Sequence, residues 1–223
     1  MVFETIQAKL LNLFSDKKMA ELRFQKKWSQ FQWSDVLGKL KEYWYSYRYM
    51  DEIQNILQFD ENKKILDVGC GVVSILNLLP GIRYGIDPLL EQYRRLYPLD
   101  NDIKWVTGCG ENMPFDNSSF DIVFCSNVLD HTDNPALAIS EINRVLKSKG
   151  MLVLTVDMFT ETRKRDHAHP YCLGKGDLER LLDNSFNILF DQMSPINAQV
   201  YNFMKHNLVQ NDYKERIIVA QQC

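Results

Sequence analysis

The chain lacks the cysteine pattern of a disulfide framework or a zinc site. Its five cysteines (Cys70, Cys109, Cys125, Cys172 and Cys223) are odd in number, and no two have CxxC spacing. That usage points to reduced thiols, no bound metal and a cytoplasmic location. No apolar run approaches the roughly 20 residues that cross a bilayer. The N-terminus carries Glu4 where a signal peptide would be basic and then apolar. A membrane span is therefore not expected. A charge excess is missing too: 26 Lys and Arg against 29 Asp and Glu leave a net charge of −3. The one basic cluster, Arg163-Lys164-Arg165, is too short for a nucleic-acid footprint, so a nucleic-acid partner is disfavoured. Repeats and low-complexity segments are also absent.

What remains is an ordinary globular composition in 223 residues, enough for one large domain with a small appendage. Residues 1–61 contain no proline, and their only glycine is Gly38. They read as an N-terminal helical cap. Ser34 is the expected cap of a helix with the stripe Leu40, Tyr43, Trp44, Tyr47, Met50 and Leu57. A shorter helix before it would present Met19, Leu22 and Trp28. The aromatic stripe reads as core rather than as a substrate cage.

From residue 62 the pattern changes to short apolar runs alternating with helices. Expected strands are Lys64–Val68, Arg83–Ile86, Ile103–Thr107, Asp121–Cys125 and Met151–Val156. Expected helices run from Val72 to Leu79, after Pro88, from the Asn134-Pro135 cap to Gly150, and from a cap at Asp177. Strand–helix alternation of this kind gives a doubly wound, mostly parallel α/β sheet over residues 62–223. Phe186–Phe190 and Arg216–Ala220 would close it as an antiparallel pair, with 197–207 inserted between them.

Ligands of such sheets bind at the carboxyl ends of the strands. The first strand ends Asp67-Val68-Gly69-Cys70-Gly71. Two glycines let a ligand approach the backbone, and the next helix would offer unpaired N–H groups to a carboxylate while Asp67 faces an ammonium. The second strand ends Asp87-Pro88, where a carboxylate can accept from both hydroxyls of a ribose or simply cap the next helix. Together these features suggest a nucleoside ligand. A dinucleotide fingerprint needs a third glycine where this chain has Ser74, which weakens the nicotinamide reading.

Residues from about Lys63 to Val156 resemble the class I S-adenosylmethionine-dependent methyltransferases of the type 11 group. The resemblance is carried by Ile65–Gly71, Gly85-Ile86-Asp87, Gly108–Phe115, Phe120–Val123, Ser126–His131 and Arg144–Lys147 with Gly150, in that order. It implies a seven-stranded Rossmann-like fold with the last strand antiparallel, and S-adenosylmethionine as cofactor. It also implies that Asp67, Gly69, Cys70 and Gly71 hold the methionine part and Asp87 and Pro88 the ribose side. Gly110, Glu111 and Met113 would line the adenine site, and Asn127 the end near the methyl. His131 and His169 are the candidate catalytic residues, with His167 beside the latter. Val73 stands where the family usually has a third glycine, and Cys109 where it often has an acid. The implied reaction moves a methyl group to an oxygen, nitrogen or carbon of a small molecule. Tyr43, Tyr47 and Arg48 are expected to influence the acceptor. The rivals are a nicotinamide-dependent oxidoreductase and a non-catalytic binding module of the same fold.

Overall fold

The structure, a computed structural model, describes residues 18–23, 25–158, 170, 171, 173, 174, 176–194 and 214–223. Its seven strands are β1 (Lys64–Val68), β2 (Ile82–Asp87), β3 (Lys104–Thr107), β4 (Phe120–Ser126), β5 (Leu146–Met158), β6 (Phe186–Met193) and β7 (Lys214–Gln222). They form one sheet in the order β3-β2-β1-β4-β5-β7-β6. The pairings among β1 to β5 are parallel, whereas β7 runs antiparallel to both β5 and β6. Strand order reverses beside β1, between β2 and β4, so the ends of these strands flank the crevice where ligands of such sheets bind.

Helices that cover the sheet among the described residues are α1 (Trp33–Tyr47), α2 (Met50–Leu57), α3 (Leu90–Tyr93), α4 (Pro135–Val145) and α5 (Asp177–Leu182). The period of two along each strand divides its side chains between the two faces. Leu66 and Val68 join a core with Ala138 and Ile142 of α4 and Leu178 of α5. Ile65 and Phe124 join a second core with Leu40 and Trp44 of α1 and Met50, Ile53 and Leu57 of α2. Trp44 meets Phe124 edge-on at 5.8 Å, and Phe59 stacks on the same ring at 6.3 Å. Each large side chain buried here contributes about 1.5–3 kcal/mol, so α1 and α2 are held as a layer of the sheet.

Several local expectations are corrected. Ser34 is not the cap of α1: the chain enters the helix at Gln32, and Trp33 is its first residue, packed 5.9 Å from Tyr97. The stripe from Leu40 to Leu57 is split into two helices because Tyr49 takes a left-handed backbone, φ 55. The helix expected over Val72–Leu79 is only a 3-10 turn, Ile75–Leu78. Leu79 precedes Pro80 and is extended, as pre-proline residues prefer, and the extended Ser74 caps Leu76 N–H from the other side. Gly150 does not end α4. The carbonyls of Arg144 and Val145 are satisfied by Ser118 and Ser119 N–H at 2.9 and 2.8 Å, and the chain continues directly into β5. Asp177 is the first residue of α5 rather than its cap: Gly176 holds that position at φ 88, and Asp177 accepts from Gly174 N–H at 2.7 Å. The Asn134 cap forms as expected, its Oδ1 accepting from Ala136 and Leu137 N–H at 3.1 and 3.2 Å. Residues 197–207 lie outside the described residues.

Candidate cofactor site

The turn after β1 is built for close approach. Gly69 has φ +63, and a Cβ there would lie 2.5 Å from a methyl of Val128. Gly69→Ala is therefore expected to lower stability by about 2–4 kcal/mol, combining left-handed strain with overpacking. Thermal melts check this; Val128→Ala in the same chain should restore part of the loss. Gly71 also has positive φ, and Val73 does not, so the position where the family has a glycine makes no such demand here.

The N–H groups of this turn are already used. Those of Gly69 and Cys70 both donate to Ile86 O, at 2.8 and 3.2 Å, and that of Gly71 donates to Asp87 Oδ2 at 3.0 Å. The free N–H groups for a carboxylate were expected from the helix after this turn, and that helix is reduced to the 3-10 turn Ile75–Leu78, whose Leu76 N–H is taken by Ser74. A four-residue 3-10 turn also supplies little dipole.

Two buried carboxylates flank the turn. Asp67, 3% exposed, accepts from Ser74 Oγ at 2.6 Å. Burial raises its pKa to about 7, against the Ser74 hydrogen bond and the charge of Arg48; Asp87 adds to the rise. Asp87, 7% exposed, accepts from Leu89 N–H at 2.8 Å as well as from Gly71. Burial raises it to about 6, opposed by these two N–H groups and helped by the charge of Glu21. The capping role is real, yet each oxygen keeps a lone pair for another donor. Cys70 is buried and its thiol is pushed up by burial, then by Asp87 and Asp67. Pro88 is exposed on the turn.

The loop after β3 lies alongside. A Cβ on Gly110 would sit 3.0 Å from Val68 Cγ1. Glu111 Oε1 accepts from Asp133 N–H at 2.7 Å, joining this loop to the one after β4. Met113, expected at the adenine ring, is 3% exposed within the apolar core, while its N–H donates to Glu141 at 2.9 Å. Asn127 is left-handed, φ 54, and donates its N–H to Thr155 O at 2.8 Å. Buried oxygens of Ser126, Asn127, Asp130 and Thr155 have no hydrogen-bond partner among the described residues. Orphaned polar atoms at strand ends mark a place completed by something else. His131 closes the 3-10 turn Leu129–His131, its Nε2 3.9 Å from Asp130 Oδ1. His167 and His169 lie outside the described residues.

A feature without sequence signal stands beside this site. Arg48 binds the fully buried Glu215 through two contacts, Nη2–Oε1 at 2.5 Å and Nε–Oε2 at 3.1 Å. Tyr43 donates to the same carboxylate at 3.1 Å, and the guanidinium lies 4.5 and 4.6 Å from the Tyr43 and Trp44 rings. Burial, then Glu215, raises the Tyr43 pKa well above its ordinary value. Tyr43 and Glu215 are 172 residues apart, beyond any motif.

Comparison with known proteins points the same way. Residues 66–154 match the family described as "Methyltransferase domain". That stretch is a class I methyltransferase domain of the type 11 group. The chain is 36% identical over 112 residues to an uncharacterised protein of Methanocaldococcus jannaschii, covering 48% of this chain and 47% of the other. It is 35% identical to the sterol 24-C-methyltransferase of Debaryomyces hansenii, over 43% of this chain and 28% of the enzyme. Against the tRNA U34 carboxymethyltransferase of Nautilia profundicola, the figures are 30% identity, 42% and 34%. The chain thus spans half or less of the length of these curated relatives. Among solved structures, the geranyl diphosphate C-methyltransferase of Streptomyces coelicolor, determined with S-adenosyl-L-homocysteine, superposes with a TM-score of 0.61. That match has 15% identity and covers 78% of this chain and 76% of the other, so it speaks for the fold alone.

Class I methyltransferase domains use S-adenosylmethionine, and the residues present fit it. The glycine turn has a left-handed cradle, two buried acids suit a cationic and hydroxyl-rich ligand, and orphaned oxygens lie at and beyond the end of β4. No helix among the described residues is long and apolar enough to cross a membrane.

Proposed function

We propose that this protein transfers a methyl group from S-adenosylmethionine to a small-molecule acceptor. The observation that carries the reading is the pairing of the Gly69–Gly71 cradle with two buried acids, Asp67 and Asp87, at the strand-order reversal. The cofactor, when bound, supplies an electrophilic methyl on a positively charged sulfur, which is already a good leaving group. The protein's task is then alignment rather than activation. Asp67 would hold the ammonium of the methionine part, and Asp87 the ribose. Asn127, turned by its left-handed backbone, would face the methionine end, and Gly110 and Glu111 the adenine. An oxygen acceptor would lose its proton as it attacks; His131 and His169 are the candidates to take it.

A small acceptor is supported by the balanced charge and by the sterol methyltransferase among the relatives. A tRNA acceptor is favoured instead by the likeness to the tRNA U34 carboxymethyltransferase. The nicotinamide reading is weakened further because the hydroxyl of Ser74, at the missing third glycine, is committed to Asp67.

Binding is tested first. S-adenosylhomocysteine at about a hundred times its Kd should stabilise the fold by about 2.7 kcal/mol. For a chain of this length, that is a rise of about 5–10 °C in Tm. No shift at millimolar ligand, with calorimetry agreeing, would overturn the cofactor assignment, and a shift with NAD instead would favour the oxidoreductase. Transfer of an isotopically labelled methyl into a small-molecule extract, but not into tRNA, is the expected second result. Tight binding with no transfer to either would favour a non-catalytic module.

A further inference from the structure

The N-terminal segment before α1 lies against the cofactor turn. Trp28 is 4% exposed in a cluster with Cys70, Val72, Leu90 and Tyr93. Tyr97 Oη donates to Gln25 O at 2.5 Å, fastening the segment to the chain that follows α3. Gln25 Nε2 donates to Glu21 Oε1 at 2.7 Å, and it stands 3.2 Å from the place a Cβ would occupy on Gly71. An amide has two N–H donors, so one of Gln25 stays available above the glycine whose own N–H is spent on Asp87.

A second observation points to a ligand at the same place. Tyr93 is completely buried, and its hydroxyl has no hydrogen-bond partner among the described residues. Burial, then the charges of Asp87 and Glu21, raise its pKa, so it stays protonated and is a donor. A buried hydroxyl without a partner costs free energy unless something supplies one.

We propose that Gln25 and Tyr93 are cofactor-contacting residues, the Gln25 amide serving the carboxylate end beside Gly71 and the Tyr93 hydroxyl the ribose end beside Asp87. This rests on the S-adenosylmethionine reading above and extends the site to residues outside the family's motifs. It also divides the N-terminal region by role: the stretch around Gln25 belongs to the cofactor, and α1 is left to face an acceptor. The neutral amide supplies the donor that the self-satisfied glycine turn lacks, without the charge that would compete for Asp67 and Asp87.

The test is calorimetric titration of the full chain with S-adenosylhomocysteine, with melts of each unliganded variant. Tyr93→Phe should keep or raise the unliganded Tm, because it removes an unpaired buried hydroxyl, while weakening binding about fivefold to tenfold, the weight of one hydrogen bond. Gln25→Ala should weaken binding by a similar factor, and Gln25→Asn, with its shorter reach, should not restore it. Wild-type affinity in both Tyr93→Phe and Gln25→Ala would overturn the proposal and leave the segment as packing. A fall in the Tm of Tyr93→Phe with unchanged affinity would do the same. If the wild-type protein itself fails to bind S-adenosylhomocysteine, it is the cofactor reading that falls.

Discussion

Asp87→Ala is expected to weaken S-adenosylhomocysteine binding by about 10- to 150-fold, since a hydrogen bond to a charged group is worth about 1.5–3 kcal/mol. The carboxylate also holds Gly71 and Leu89 N–H at 3.0 and 2.8 Å, so the alanine variant should lose stability as well. Asp87→Asn separates the two effects, because its amide oxygen can retain one of these acceptor contacts. Titration calorimetry and thermal melts on both variants give the result. Unchanged affinity in a folded Asp87→Ala would reduce this residue to a cap for the turn into α3.

A pH dependence accompanies it. In an unfolded chain, both Asp67 and Asp87 titrate near the ordinary value, about 3.9. In the fold they are raised to about 7 and about 6, chiefly by burial. The folded protein therefore keeps protons that the unfolded chain has lost. The stability these two groups contribute is present below about pH 4 and is lost as pH rises through 6 and 7. The unliganded Tm should fall between pH 5 and 8, while affinity for the cationic cofactor rises over the same interval as both acids ionise. Asp121, Glu141 and Glu179 are shifted the other way by their cationic partners, so they act only below that window. Melts of Asp67→Asn and Asp87→Asn with the wild-type slope would assign the titration elsewhere.

Glu215→Ala is expected to cost about 3–5 kcal/mol, the effect of removing one partner of a buried ion pair. The group that loses this carboxylate is Arg48, 7% exposed and 4.5 and 4.6 Å from the Tyr43 and Trp44 rings. Arg48→Ala should be comparably damaging, because it leaves a fully buried carboxylate with, among the described residues, the Tyr43 hydroxyl as its side-chain donor. The pair replaced together, Arg48→Met with Glu215→Leu, should recover much of the loss, since a buried ion pair is often no better than apolar packing of similar volume. Denaturant unfolding measures all three. A small effect in both single variants would mean that water reaches the pair and that Arg48 remains available to a ligand. The large effect would mean that Arg48 fixes the α1–α2 junction to β7, and that an influence of α1 on the acceptor must come from other side chains, such as Tyr47.

The alternation of apolar runs was enough to read β1 to β5 and the α4 layer, because each strand's periodicity and each turn residue agree. The Asn134-Pro135 start of α4 was legible for the same reason: cap and first turn are local chemistry. Elements decided by a neighbour in space were not. The carbonyls at the end of α4 are satisfied by Ser118 and Ser119, so Gly150 carried a false signal. The run of Leu40, Tyr43, Trp44, Tyr47 and Met50 keeps helical spacing across Tyr49, and periodicity is blind to a single left-handed residue. Asp67, Gly69, Gly71 and Asp87 lie at the adjoining ends of β1 and β2, and Asn127 follows the end of β4. The satisfaction of the turn's own N–H groups by Ile86 and Asp87 was not readable, since it depends on how β1 and β2 end side by side. The same holds for Gln25 over Gly71, two residues brought together across the first strand.

The place of β7 has a consequence for the order in which the molecule assembles. β7 follows every other strand in the sequence yet lies between β5 and β6, pairing with both. During synthesis β6 emerges before β7, its partner among the described strands. Meanwhile β5 presents an open edge, with Leu152, Leu154 and Val156 covered on one face by helices already in place. Such an edge is a template for pairing with another chain. A nascent chain halted before residue 214 should thus be prone to association. Closure should come late and in one step, when a single strand seals β5, captures β6 and brings Glu215 to Arg48. Pairings this distant in sequence are slow to form, so folding of this newly made sheet should wait on β7 rather than proceed evenly along the chain.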